Sequence, residues 1–291
     1  MIDGHFLVDA HVHVPLLPTL SQAWLDWARA FGQPGLLERV WRPDGTPDPA
    51  QLSALFAEQG VDVALLFCEY SPKTTGYQRF DDLLPLVEAD PRLFRPVANV
   101  NPHLHFPIAR ELARQLDHGA AALKLHPVHG GFRADDAALY PAYALLVERS
   151  VPLVVHCGTS SFPGSTNAYA DPQLLDAVLR DFPDLHVVLA HGGRGWWYDA
   201  AAFLALSNEH VWLELSGLPP SRLPDYYARY DLTRLARRFI YGTDWPGVPG
   251  QAANARAVAA LGLPDDVLGR VLNGNALDIY SGLAPLPATN L

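Results

Sequence analysis

The stretch Leu7-Val-Asp-Ala-His-Val-His13 closes a short apolar run with two histidines that are two residues apart. Side chains of a strand alternate between its two faces, so His11 and His13 point the same way, as does Asp9. Two imidazoles on one face, near the carboxyl end of a strand, are suited to bind one metal ion. The pair therefore indicates a metalloenzyme and directs attention to the ends of the other strands.

Seven more short apolar runs follow, most of them separated by helical patterns. They cover residues 61–69, 94–101, 121–127, 152–158, 186–192, 211–217 and 239–246. Nearly continuous stretches of Val, Leu and Ile are typical of parallel strands that are buried on both faces. Eight strand–helix repeats predict one TIM-type (β/α)8 barrel domain over residues 1–291. A doubly wound open sheet is disfavoured, because ligand-type residues follow many strands rather than one switch point.

The connection between the first two runs is long and rich in aromatic residues. Roughly 45 residues separate His13 from Val61, and they include Trp24, Trp27 and Phe31. Connections of this length are often lids or binding loops. Two interpretations stay open at this point: an aromatic cap over the pocket, or ordinary core against the side of the barrel.

Composition limits the class of protein. Hydrophobic residues make up 49% and charged residues 18% of 291 positions, so a sizeable core is expected. The net charge of -10 argues against a nucleic-acid partner, which would require a basic face. Cys68 and Cys157 are too few for a disulfide framework. No signal-peptide pattern is visible and no apolar run approaches the roughly 18 residues of a membrane span, so a cytoplasmic protein is expected.

Side chains that bind metals or protons follow most of the predicted strands. They are His11, His13, Lys124, His126, His156, His191, Glu214, Ser216 and Asp244. In a TIM barrel the carboxyl ends of the strands surround the active site, so these side chains should converge. Imidazoles with a carboxylate suit zinc or a similar divalent ion, which lowers the pKa of bound water to about 7. The second histidine pair, His103 and His105, lies between prolines and is predicted to be a loop without a metal role.

Five short motifs, in order, resemble a known family. They are Asp9-Ala-His-Val-His13, Lys124-Leu-His-Pro127, Val155-His-Cys-Gly158, Leu189-Ala-His-Gly-Gly193 and Tyr241-Gly-Thr-Asp-Trp-Pro246. The chain resembles the amidohydrolase superfamily, and within it the amidohydrolase-related branch that includes aminocarboxymuconate-semialdehyde decarboxylase. The resemblance implies that His11, His13, His156 and Asp244 bind the metal. It also implies that His191 is the acid–base group and that Asp244 relays a proton.

The resemblance further implies one divalent metal, with zinc expected and manganese as the alternative, a small-molecule substrate and a homodimer. Lys124 leaves a second arrangement open, because binuclear superfamily members carry a carboxylated lysine on this strand that bridges two metals. Lys124 is instead interpreted as a partner for a substrate carboxylate, with a structural ion pair as the alternative. Arg194 and His126 are the other predicted substrate-binding residues. Arg194 suits a bidentate clamp on a carboxylate, or else a pair with Glu214.

Two reactions fit these residues. The first is hydrolysis of an ester, lactone or amide through metal-activated water, with His191 taking the proton. The second is the non-oxidative decarboxylation of a carboxylated aromatic or enol substrate, which a cationic clamp would favour. Because the motifs are family-wide, hydrolysis is placed first by a small margin. A non-catalytic binding barrel is a remote third, since it predicts the loss of at least one ligand and none is lost.

Overall fold

A parallel barrel forms the body of the protein in the computed structural model, which describes residues 2, 4–280, 282 and 283. Within these residues one sheet contains eight parallel strands in chain order. They are β1 (Val8–His13), β2 (Val63–Phe67), β3 (Phe94–Asn99), β4 (Leu123–Leu125), β5 (Leu153–Gly158), β6 (Val187–Arg194), β7 (Val211–Glu214) and β8 (Phe239–Ile240). The predicted TIM barrel is confirmed. The Pro-rich tail beyond Leu283 lies outside the described residues.

Backbone hydrogen bonds close the barrel between its first and last strands. The Ala10 N–H donates to the Tyr241 carbonyl over 3.1 Å, and the His13 N–H donates to the Trp245 carbonyl over 2.8 Å. β1 is thereby joined to the segment that follows β8. The closure places the two ends of the domain, and the histidines of β1, beside the loop that carries Asp244.

Burial on both faces explains why the strands are apolar throughout. All five residues of β2 are buried. Val63, Leu65 and Phe67 belong to one apolar cluster, whereas Ala64 and Leu66 belong to the other. The alternation is that of a strand with one face inside the barrel and the other under the helices.

Fourteen α-helices surround the barrel in the part of the chain that the structure describes. They are Gln22–Phe31, Leu36–Val40, Pro49–Glu58, Leu84–Ala89, Ile108–Asp117, Pro127–Gly130, Tyr140–Arg149, Asp176–Asp181, Tyr198–Ser207, Leu223–Tyr226, Leu232–Ala236, Gln251–Ala259, Asp265–Gly269 and Asn275–Ile279. A π-helical turn, Arg270–Gly274, joins the last two. None of the described helices is both long enough and apolar enough to span a membrane.

The long connection between β1 and β2 is helical rather than a loop. It contains Gln22–Phe31, Leu36–Val40 and Pro49–Glu58. The first of these begins at Ser21, whose hydroxyl accepts a hydrogen bond from the Trp24 N–H. Trp41, from the same connection, stacks on Trp245 with ring centroids 5.6 Å apart, and so belongs to the core. The aromatic residues of this segment therefore divide between the core and the pocket described below.

A two-stranded hairpin follows β2 at the mouth of the barrel. Its strands, Glu69–Ser71 and Gly76–Gln78, are antiparallel. Glu69 is buried at the start of the hairpin, where it faces the pocket.

Candidate metal centre

Three side chains from opposite ends of the chain converge at the mouth of the barrel. His11 Nε2 lies 3.2 Å from His13 Nε2 and 3.5 Å from Asp244 Oδ1, which is 3.3 Å from His13 Nε2. Ligands at about 2.1 Å from a tetrahedral zinc ion are roughly 3.4 Å apart. The three atoms therefore have the spacing of ligands around one divalent ion. His11, His13 and Asp244 thus form a candidate metal group, and its nitrogen and oxygen atoms suit such an ion.

Glu214, at the end of β7, fixes the orientation of His11. Its Oε2 lies 2.6 Å from His11 Nδ1, and its Oε1 accepts a hydrogen bond from the Ser216 N–H. Because the carboxylate accepts, Nδ1 of His11 carries the proton and Nε2 presents a lone pair to the metal group. Carboxylates commonly orient metal-binding histidines in this way. Burial raises the pKa of Glu214 to about 7, and the charge of Lys124 opposes that rise.

Asp9, the third polar residue of the opening motif, has a structural role. Its Oδ1 accepts a hydrogen bond from the Thr243 N–H, and its Oδ2 accepts one from the Thr243 hydroxyl. These bonds hold the loop that carries Asp244 against β1. Burial raises the pKa of Asp9 to about 7, although the bonds from Thr243 lower it.

His191 and Asp244 both adopt left-handed backbone conformations. Their φ angles are 66° and 70°, a region that residues other than glycine rarely occupy. Strained backbone of this kind is concentrated at functional sites. Burial would raise the pKa of Asp244, but the hydrogen bond from His13 and the positive charge of Arg194 hold it well below its usual range. Asp244 is therefore ionised, which is the form in which a carboxyl group can bind a metal ion.

His156 lies in the same pocket but outside this group of three among the described residues. Its Nε2 is 3.1 Å from the Gly158 carbonyl, and its Nδ1 is 3.1 Å from His191 Nε2. The Gly158 carbonyl accepts a hydrogen bond from Nε2–H, so Nδ1 carries the lone pair, which faces His191 Nε2. The role of His156 as a metal ligand stays a prediction.

His191 connects the strand ends of β6 and β7. Its Nδ1 lies 3.0 Å from the Ser216 carbonyl, 2.9 Å from the Ser216 hydroxyl and 4.0 Å from Asp244 Oδ2. Burial lowers the pKa of His11, His156 and His191 well below the usual range for histidine. Neutral imidazoles are the form that binds metals and accepts protons.

The predicted substrate-binding residues have different surroundings. Arg194 lines the pocket, and its Nη2 donates to the Thr159 carbonyl over 3.0 Å. A methyl group at Gly217 would clash with Arg194 and lie 3.1 Å from Asp244 Oδ2, so the guanidinium is next to the metal group. Lys124 is fully buried, 4.9 Å from the centroid of Phe67, and its Nζ makes no hydrogen bond to the described residues. Burial lowers the pKa of Lys124 to about 8.

Two buried pocket residues, Glu69 and His129, were missed by sequence reasoning. Glu69 Oε2 lies 3.3 Å from His126 Nε2, and the ring of His129 stacks on that of His126 at a centroid distance of 5.8 Å. The available signals were weak: Glu69 is the last residue of the apolar run 61–69, and His129 lies three residues after His126. The pair His103 and His105 lies elsewhere, with His105 Nδ1 accepting from the Asn101 N–H.

The pocket above the metal group has a volume of about 350 Å³ and a mixed lining. Its apolar wall comes from Trp24, Trp27, Phe31 and Phe162. Its polar floor is formed by the histidines, Asp244, Glu69 and Arg194. A small planar molecule with a charged or metal-binding end fits this division of the surface.

The family model for amidohydrolases matches residues 8–282. No curated protein sequence matches the chain significantly. An uncharacterized TIM-barrel protein of Bordetella bronchiseptica has a similar structure, with a TM-score of 0.76, 22% identity and coverage of 94% of this chain and 97% of that one.

Two further similar structures are of proteins with named activities. A dihydroxybenzoic acid decarboxylase from Polaromonas sp. JS666, with bound manganese and the inhibitor 2-nitroresorcinol, has a TM-score of 0.68 and 17% identity, covering 94% of this chain and 96% of that one. A probable 2-pyrone-4,6-dicarboxylic acid hydrolase from Acinetobacter baumannii, with citric acid bound, has a TM-score of 0.62 and 15% identity, covering 94% and 98%. At these identities the likeness establishes the fold alone.

Proposed function

The chain belongs to the amidohydrolase family, and from this premise we propose that it is a metal-dependent decarboxylase of a small carboxylated aromatic compound. The observation that carries the proposal is the position of Arg194, which lines a pocket with aromatic walls and lies next to the metal group. A cation beside a metal site suits a substrate carboxylate, and Trp and Phe side chains suit a planar ring. The sequence alone favours hydrolysis by a small margin, whereas the composition of the pocket supports the proposal of decarboxylation.

His11, His13 and Asp244 are the residues proposed to hold the ion, with His156 as the fourth ligand. A divalent zinc or manganese ion there would act as a Lewis acid toward oxygen atoms of the substrate. The manganese bound to the similar Polaromonas decarboxylase supports the proposal of a divalent ion. Glu214 keeps the His11 lone pair directed at the site before the ion arrives.

Substrate orientation is assigned to Arg194 and the aromatic wall. Arg194 donates one N–H to the Thr159 carbonyl and has further N–H groups for a carboxylate. Trp27 and Phe162, whose ring centroids are 5.9 Å apart, narrow the entrance and exclude water from the ring. Lys124 is proposed to act through its charge from below the pocket rather than by contact.

Transfer of a proton to the ring carbon is assigned to His191 and Asp244. Breaking the bond between the ring carbon and the carboxylate releases carbon dioxide and leaves the electron pair on the ring, which then takes up one proton. His191 Nδ1 and Asp244 Oδ2 are 4.0 Å apart, so a shortening of about 1 Å brings them within hydrogen-bond reach. Because His191 is neutral and Asp244 is ionised in the resting site, this pair first takes up one proton from water, passes it to the ring carbon as carbon dioxide leaves, and so returns to its resting state.

Hydrolysis of a lactone or ester is the second candidate, favoured by the same neutral His191 beside the metal group. In that reaction His191 accepts the proton of water and returns it to the leaving oxygen. The likeness to the Acinetobacter hydrolase supports it.

A substrate screen separates the two reactions. We expect protein loaded with zinc or manganese to release carbon dioxide from one or more hydroxybenzoates and to leave lactones and esters intact. Arg194→Lys should raise KM at least tenfold, because a point charge replaces a bidentate clamp. Lactone opening without carbon dioxide release would contradict the proposal and establish the second candidate.

A further inference from the structure

Glu69, His126 and His129 form a second group of metal-binding side chains in the pocket. One oxygen of Glu69 and one nitrogen of each histidine all lie within 4.8 Å of one another, and all three residues are buried. They come from the hairpin after β2 and from the segment after β4, so they share no residue with the group around Asp244. Nothing in the proposed reaction uses them.

We propose that these three residues form a second, weaker binding site for a divalent cation. Glu69 Oε2 and His126 Nε2 are 3.3 Å apart, which matches the distance between His13 Nε2 and Asp244 Oδ1 at the first site. One carboxylate and two imidazoles are a nitrogen/oxygen donor set for zinc or manganese. The site is distinct from the bridged arrangement with a carboxylated lysine, since Lys124 is not one of its ligands.

Unpartnered buried atoms support a missing ligand at this place. Glu69 Oε1 and His129 Nδ1 make no hydrogen bond of good geometry to any described residue, although both atoms are shielded from solvent and the hydroxyls of Ser71 and Thr75 lie near the Glu69 carboxylate. Buried polar atoms without partners are uncommon, and a binding site for an ion is one regular cause. Burial lowers the pKa of His129 to about 3, so its ring is neutral and available as a ligand.

Hydrogen bonding explains why this second site is the weaker one. At the first site, Glu214 already places the proton of His11 on Nδ1 and frees Nε2. At the second site, the Asn99 amide donates to His126 Nδ1 over 2.8 Å and to the Cys68 carbonyl over 3.1 Å. Nε2 of His126 therefore carries a proton that points to Glu69. Coordination through Nε2 moves that proton to Nδ1 and makes the Asn99 amide turn over, with the loss of its bond to Cys68.

The two sites would share one pocket. The ring centroids of His13 and His126 are 6.5 Å apart, and those of His129 and His156 are 4.7 Å apart. A cation at the second site therefore faces the same substrate as the first.

Equilibrium dialysis of the whole protein against rising zinc concentrations, followed by elemental analysis, tests the proposal. We expect about two equivalents in two classes, the second at least roughly tenfold weaker because a hydrogen bond is lost and a proton moved. Glu69→Gln and His129→Gln should each remove the weak class alone, and Asp244→Asn the tight class alone. Glu38→Gln, at an exposed glutamate, is the matched control and should change neither class.

Asn99→Asp supplies a gain-of-affinity test, because a carboxylate accepts from Nδ1–H of His126 as Glu214 does for His11. The weak class should tighten by roughly tenfold. A wild-type protein that binds one equivalent at every zinc concentration would overturn the proposal, and the group would then be a hydrogen-bonded Glu–His pair. A weak class that survives both Glu69→Gln and His129→Gln would also overturn it. Neither result concerns the tightly bound zinc. Loss of that zinc in Asp244→Asn tests the proposed function separately.

Discussion

Glu214 is the single residue that most clearly distinguishes the metal centre from a cluster of buried histidines. It accepts from His11 through one oxygen and from the Ser216 N–H through the other. Ser216 in turn contacts His191 Nδ1 through its hydroxyl. One strand end therefore orients both a proposed ligand and the proposed acid–base group.

Glu214→Gln tests this arrangement. Glutamine keeps the shape of the side chain but removes its charge and sets an amide N–H against the Ser216 N–H. We expect zinc affinity to fall by about 10- to 100-fold, as measured by competition with a chromophoric chelator. Glu209→Gln, at an exposed glutamate near the start of the same strand, should leave the affinity unchanged. Equal zinc affinities for Glu214→Gln and Glu209→Gln would show that Glu214 does not orient His11 for metal binding.

His191→Asn separates chemistry from metal binding. Asparagine retains a hydrogen-bonding group at the left-handed backbone position but cannot accept and return a proton. We expect turnover to fall at least 10²-fold, the usual contribution of a general acid or base, while the tightly bound metal remains. Retained full activity would show that another group moves the proton.

For single residues, the sequence predicts that His11, His13 and Asp244 lie close together. Each lies at or just beyond a strand end, and closure of the barrel brings these ends together. It does not predict Glu69 or His129, since both lie in connections whose path depends on tertiary packing. It also places Lys124 on the correct strand without revealing that its Nζ lies beneath the pocket. Alternation along a strand gives the face of a side chain but not the depth that its atoms reach.

Gln115 shows how one element fixes another near the site. It is fully buried in the helix Ile108–Asp117, and its side chain accepts from the Asn99 N–H and donates to the Asn99 carbonyl. These bonds satisfy the N–H and the carbonyl of Asn99 at the end of β3, beyond the last residue that pairs with β2. The Asn99 side chain is thereby held against His126.

Gln115→Ala should leave both backbone groups of Asn99 buried without partners. We expect the free energy of unfolding to fall by about 2–4 kcal/mol, as measured by urea denaturation. Gln173→Ala, at an exposed glutamine, is the control and should cost less than about 0.5 kcal/mol. Similar values for both variants would mean that water or a shifted strand satisfies Asn99.

The helix Gln22–Phe31 provides an element-scale test of the pocket wall. A methyl group at Gly247 would overlap the Trp27 ring, so Gly247→Ala should displace that ring from the pocket. We expect KM to rise roughly tenfold, or about 1.4 kcal/mol, without loss of the metal. Gly269→Ala, where a methyl group meets no atom within 4 Å, is the matched control. An unchanged KM would place the substrate away from Trp27.

The strands were predictable because the nearly continuous apolar runs of seven to nine residues are typical of buried parallel strands. The connection after β1 was not, since its helices are short and its aromatic residues divide between pocket and core. Trp24 lines the pocket whereas Trp41 stacks on Trp245. The spacing of apolar residues within a helix does not determine whether its apolar face packs against the core or lines the pocket.

Over the whole molecule, the metal centre exists only in the closed barrel. His11 and Glu214 are 203 positions apart, and Asp9 and Thr243 are 234 apart. An unfolded chain cannot present these groups together, so we expect binding of the proposed metal to be thermodynamically linked to folding.

Metal should therefore stabilise the protein measurably. At a zinc concentration 100 times Kd, the expected gain is about 2.7 kcal/mol, seen as a higher Tm in thermal unfolding. Chelation with EDTA should reverse the gain, and Asp244→Asn should show no gain from the tight site. A Tm that is independent of zinc in the wild type would argue against this linkage.

The central claim, that His11, His13 and Asp244 hold a divalent ion, is tested most directly by elemental analysis of the purified protein after reconstitution with zinc or manganese and removal of loosely bound ions. The account predicts about one tightly held equivalent in the wild type and none in Asp244→Asn. A correctly folded wild-type protein that retains neither metal would contradict the claim, and with it both proposed reactions.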